Sequence, residues 1–177
     1  MEASYSEAIK AYTRVGDDAK AASIEKTLAS FQESAYTVVY LHDLDPAKVA
    51  VQYKEHFDKR KDVQIDEVEF PKSIGLHPPG NADPASVSFQ LDGSWVRFKS
   101  SVGIMSPNGN HKLGSPLVFD VVCDGKVVWS SKPVKDFEQL QSVDIPIQKV
   151  QSLSIHVRHT GSDHYAHAVW LSPRLIR

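Results

Sequence analysis

From Tyr36 to the end of the chain, apolar and polar residues alternate in short runs broken by turn-forming residues. A period of two places successive side chains on opposite faces of a strand, so such runs build half-buried β-strands and exclude a helical bundle for this part. In VSFQLDGSWVRF (87–98), Val87, Phe89 and Leu91 form one row, and Val96 and Phe98 another. Asp92-Gly93 between them predicts a hairpin. PLVFDVVCDGKVVW (116–129) repeats the device around Asp124-Gly125. YTVVYLHDL supplies an opening strand, and Val49, Val51 and Tyr53 suggest another, followed by a charged loop. SVDIPI, SLSIHVRH and AHAVWLSPRL complete a set of about eight or nine short strands. The expected fold is mainly β, a β-sandwich or jelly roll.

Residues 1–35 read differently. Ile9, Tyr12 and Val15 share a helical face, with Ser4 and Glu7 spaced as a capping box and Gly16 as a stop. Ala21, Ile24, Leu28 and Phe31 line a second helix starting at Asp17 or Asp18. This short α-helical hairpin is either a connector or a unit of a helical repeat array, since one copy shows no period. The expected division is therefore 1–35 helical hairpin and 36–177 β-sandwich.

Whole-chain properties remove several function classes. The 177 residues carry a net charge of −2 and show no basic footprint for nucleic acid. No apolar run is long enough for a membrane span. The chain start lacks an apolar signal core. With one cysteine, Cys123, no intrachain disulfide forms, and its place in the row Leu117, Phe119, Val121 makes it a core residue rather than a nucleophile. No phosphate loop and no serine-nucleophile elbow occur. An enzyme is not expected.

Four histidines, His156, His159, His164 and His167, crowd the C-terminal region. Alternation splits His156 from His159, and His164 from His167, across faces, so no metal site or cofactor is expected. Trp95 and Arg97 share the face opposite Val96 and Phe98, which predicts an exposed tryptophan beside a cation. Such a face suits a sugar ring or a partner protein, unless other elements cover it. The loop 105–116 offers Asn108, Asn110 and His111, neutral groups that suit hydroxyls and equally suit a merely solvated loop. In the last strand, Ala166, Ala168 and Trp170 point one way, with Trp170 in the core. His167 lies on the other face near Tyr165, where it meets a ligand or a partner such as His77.

Three segments together resemble the NPCBM/NEW2 family of carbohydrate-binding modules. They are SIGLHPPGNADPASVSFQLDGSWVRFKSSVGI, SPLVFDVVCDGKVVWSSKPV and LSIHVRHTGSDHYAHAVWLSPRL. With YTVVYLHDLDP as the first strand, the likeness covers residues 36–177, and LHPP and AHAVW look most like members of planctomycete type. The resemblance implies a galactose-binding-like β-sandwich, non-catalytic, attached to glycosidases and other multidomain bacterial proteins with an extracytoplasmic parent. It implies glycan recognition, and the candidate ligand-binding residues for it in this chain are His77, Asn81, Trp95, Arg97, Asn108, His111, Tyr165 and His167. Other domains of a parent protein are possible partners, and an assembly module without a sugar ligand is the alternative. One departure stands out. Many relatives end in a pattern like Asp-His-Ala-Asp-Trp, where this chain has Ala166-His167-Ala168-Val169-Trp170. Without those two acids no hard-cation cage is completed here, so binding should not depend on calcium.

Overall fold

The computed structural model describes residues 2–34, 36–53, 57–65, 68–81, 83–105, 112–137 and 139–177. The chain divides into two compact units, Met1–Val38 and Val39–Arg177.

The first unit is a helical hairpin of α1 (Glu2–Arg14) and α2 (Asp18–Ser34). Helix α1 begins two residues before Ser4, so Ser4 lies inside the helix rather than at its cap. Gly16 adopts a left-handed φ of +73° between the helices, where a side chain would be strained. Asp17 caps α2 by accepting the Lys20 N–H at 3.2 Å.

The second unit contains two antiparallel sheets. The first runs β3 (Phe57–Ile65), β4 (Val68–Leu76), β11 (Ala168–Ile176), β6 (Arg97–Ile104), β9 (Gln141–Pro146), with β1 (Val38–Tyr40) also paired to β11. The second runs β2 (Lys48–Ala50), β5 (Ala85–Gln90), β10 (Ser152–His159), β7 (Leu117–Cys123), β8 (Lys126–Ser130). The alternating rows meet in one core: Val87, Phe89, Phe119, Val121, Leu153 and Ile155 with Ile74, Phe98, Val102 and Trp170. Cys123 belongs to the same core, as its row predicts.

Two strand expectations fail for physical reasons. The segment 87–98 is not a hairpin. Strand β5 pairs with β2 and β10, whereas β6 pairs with β11 and β9. The Asp92-Gly93 turn, closed by Asp92 Oδ1 accepting from Ser94 N–H and Oγ–H, sends the chain across to the other sheet. The inward rows therefore face each other through the core instead of lying side by side. Asp124-Gly125 is the hairpin expected, with left-handed φ of 48° and 78° joining β7 to β8.

The charged segment after Ala50, expected as a loop, contains β3. The second half of β3 and the first half of β4 carry Val63, Ile65 and Phe70, which pack on Val169 and Leu171. Strand β11 is thus buried on both faces, Trp170 toward the main core and Val169 toward this smaller cluster. Gly103 permits that second layer: a Cβ there would lie 2.8 Å from Leu140 Cδ2 and 3.4 Å from Ile65 Cδ1.

Candidate functional site

The candidate residues gather only in part. Strands β4 and β6 end, and β11 begins, at one end of the unit, where Ala168 pairs with both Leu76 and Ile104. Alternation then projects His77 from the end of β4 and His167 from the start of β11 onto the outer face of the first sheet. Their rings meet edge-on with centroids 5.5 Å apart. The meeting expected from the last strand is found.

The histidines line an open cleft of about 290 Å³ with Asp58, Arg60, Gly75 and Met105. His77 Nδ1 lies 2.9 Å from the Pro78 carbonyl. A carbonyl only accepts, so Nδ1 carries the proton, and in the neutral ring Nε2 is the acceptor nitrogen. His167 is fixed through its backbone, its carbonyl accepting from Met105 N–H at 2.9 Å.

Tyr165 flanks the pair, its ring 6.5 Å from that of His167 and 5.0 Å from that of His164. Its φ of +54° is left-handed, a conformation that costs a non-glycine residue roughly 1–2 kcal/mol. Hydrogen bonds from Ala166 N–H to the Asp163 carbonyl and from His167 N–H to the Tyr165 carbonyl hold that turn. The surrounding structure thus over-determines the strained turn that delivers His167.

The other candidates lie elsewhere. Asn81 lines a neighbouring cleft of about 380 Å³ with Val51, Gln52, Pro79, Gly80 and Asp83. Its amide is bound to Asp83 Oδ2 at 3.0 Å, and its carbonyl and that of Pro79 lie 3.1 and 2.9 Å from His159 Nε2. His159 therefore anchors the loop that lends His77 to one cleft and Pro79, Gly80 and Asn81 to the other. Trp95 is not exposed. It is a core residue, 9% exposed, covered by Arg177, whose guanidinium carbon sits 4.7 Å from the ring centre. The chain crosses between sheets at this point, so residues 91–96 do not follow strand alternation. Arg97 is ion-paired to Asp144 at 2.6 Å at the start of β6, the end away from the histidines. The contact face expected of Trp95 and Arg97 does not exist. Asn108 and His111 lie outside the described residues.

Sequence reasoning misses Asp58 and Arg60 because their segment carries no apolar alternation. The detectable signal is the pair of opposite charges two residues apart, which a strand places on one face. Among the described residues, no group of three or more histidine, cysteine or acidic side chains is placed to hold a metal ion. No described helix is long and apolar enough to cross a membrane.

On the outer face of the second sheet, Asp120 is buried, accepting from Arg158 Nε at 3.0 Å and from the Ser130 hydroxyl. His156 lies opposite Asp120 on the adjacent strand. Burial holds its imidazole below the usual pKa of 6.5, against a smaller upward pull from the Asp120 charge.

Comparison with known proteins agrees with this architecture. A CBM51 module of a Clostridium perfringens GH95 enzyme, solved with methyl-galactose, superposes with a TM-score of 0.65 at 20% identity, covering 78% of this chain and 99% of that one. A Clostridium perfringens ZmpB structure, holding CBM51-2 with GlcNAc and INT domains, superposes with a TM-score of 0.66 at 15% identity. It covers 80% of this chain, which spans only 32% of that longer one. The tandem CBM51 modules of a Streptococcus pneumoniae family 98 glycoside hydrolase give a TM-score of 0.64 at 21% identity, covering 80% of this chain and 48% of that one. No curated protein sequence matches the chain. Residues 37–176 match the sequence profile of the NPCBM/NEW2 domain, and the chain belongs to that family.

Proposed function

We propose that the chain is a non-catalytic carbohydrate-binding module that takes a sugar in the cleft between His77 and His167. The observation that carries this reading is the convergence of the two imidazoles, from different strands, in an open cleft. Its volume, about 290 Å³, lies near the lower bound of ~300 Å³ for small-ligand sites, which suits one or two sugar rings rather than a protein surface. Imidazoles donate to or accept from hydroxyls without imposing a fixed charge, and Tyr165 adds a flat apolar face beside them. The family membership and the sugar-bound modules of the same fold support the reading. Similar modules occur within larger enzymes, so the chain's role is to hold a parent protein on a glycan.

The test is a glycan-array screen of the full chain, followed by titration of any hit against His77→Ala and His167→Ala. Both variants should keep the wild-type melting temperature and lose most binding. Absence of binding across the array, or full binding by both variants, overturns the proposal.

A further inference from the structure

The outer face of β3 adds a charged pair to the same cleft. Asp58 and Arg60, two residues apart, project from that face and lie over Gly75 of β4, which pairs with Asp58 on one side and Val169 on the other. The glycine is required for this arrangement. A Cβ at residue 75 would collide with Asp58 Oδ1 and lie 2.9 Å from Arg60 Nε. Arg60 binds the carboxylate through two parallel hydrogen bonds, Nε to Oδ1 at 2.9 Å and Nη2 to Oδ2 at 2.7 Å. Each side chain is about two-fifths exposed, 42% for Asp58 and 37% for Arg60, so both present polar atoms to the cleft. The pair is locked before any ligand arrives, which lowers the ordering cost of binding.

We infer that Asp58 and Arg60 are specificity-determining residues that select a neutral sugar ring bearing two adjacent hydroxyls over an acidic sugar. This rests on reading the cleft as the glycan site. A carboxylate accepts at about four lone-pair positions and a guanidinium donates five N–H groups, of which Asp58 takes two. The pair therefore sets an acceptor beside a donor, matching one hydroxyl that donates and a neighbour that accepts. An acidic sugar would bring its own carboxylate beside that of Asp58, and because Asp58 already holds the Nε–Nη2 edge of Arg60, only the end-on donors are left to offset that like-charge repulsion. The cleft thus has a carboxylate although Ala166 and Val169 supply none. It comes from β3 through the space over Gly75.

The experiment uses the full chain and an array of neutral sugars paired with their uronic-acid counterparts, galactose with galacturonate and glucose with glucuronate among them. Dissociation constants for the best neutral sugar and its acid then follow by calorimetry. Wild type should bind the neutral member at least tenfold more tightly. A hydrogen bond to a charged group is worth enough that Asp58→Asn should weaken neutral-sugar binding by about tenfold and narrow the gap to the acid. Gly75→Ala, which displaces the pair, should do the same, and melting temperatures monitor folding in both. Asp58→Asn preserves shape, so it decides the matter if Gly75→Ala does not fold. Neutral binding unchanged by Asp58→Asn, or a preference for the acid, overturns this inference alone. No binding to either set overturns it together with the glycan reading.

Discussion

Replacing Trp170 by alanine should remove more stability than any other single core change in the β unit. The side chain is fully buried, and three aromatic rings surround it, Phe119 at 5.7 Å and Phe98 and Trp129 at 6.3 Å. Emptying such a site costs ~3–5 kcal/mol through lost transfer energy and the cavity left behind. The upper part of that range applies here. Trp170 lies on a strand hydrogen-bonded on both sides, to Ile74 and Val102, so the walls cannot collapse inward. An aromatic pair is worth ~0.5–1.5 kcal/mol beyond its buried area, a gain that the range for emptied sites already includes in part. The expected loss is about 4–5 kcal/mol, against ~5–15 kcal/mol for a whole domain. With a urea m-value near ~2 kcal/mol/M, the midpoint should fall by roughly 2 M, followed by far-UV circular dichroism because the substitution removes a fluorophore. The indole N–H of Trp170 has no hydrogen-bond partner among the described residues. Trp170→Phe therefore sheds a buried donor that costs ~1–3 kcal/mol while leaving a smaller void, and should lose under about half as much. A loss below ~2 kcal/mol for Trp170→Ala at unchanged m-value would refute the argument that this site is rigidly walled.

Trp95→Ala should cost ~3 kcal/mol by the same chemical unfolding and leave glycan affinity unaltered, since the residue belongs to the core; a loss under ~1 kcal/mol would contradict its burial. Burial, reinforced by the Asp124 charge, pushes the Cys123 thiol up to about 11. At pH 8 about one molecule in a thousand would carry the thiolate, so a disulfide reagent should label the folded chain only as fast as it opens, and immediate stoichiometric labelling would show an accessible thiol. For His156, the folded pKa is depressed, so the unfolded chain binds the proton more readily between that value and about 6.5. Its contribution is complete above pH ~6.5 and is lost as pH falls toward the folded value. Melting temperatures measured from pH 8 to 5 should fall less steeply in His156→Gln than in wild type, and parallel slopes would remove the assignment. A chain of residues 36–177 should unfold in one cooperative transition; a molten product alongside a folded full chain would place the helices in the core.

Much of the architecture is local and can be read from the residues. Alternation is a property of the strand itself, so the inward rows Leu153, Ile155, Val157 and Leu117, Phe119, Val121 are legible, as is Trp170 in the core. Asp124-Gly125 announces its hairpin because its left-handed backbone needs those residue types. Pairing is different in kind. Leu91 and Phe98 carry the same pattern whether their strands lie side by side or face each other across the core, because alternation marks a face and not a neighbour. Only the tertiary fold decides that β5 and β6 belong to opposite sheets, and with that decision Trp95 passes from surface to core. The cleft divides the same way. That His167 faces away from Trp170 follows from counting along β11, and its meeting with His77 is within reach of the same reasoning. Asp58 and Arg60 join them only because Gly75, seventeen residues after Asp58, lies opposite it in the ladder and leaves the room a side chain would fill. A site assembled from the outer faces of three paired strands is a property of their register, and register is set by long-range packing rather than by any one segment.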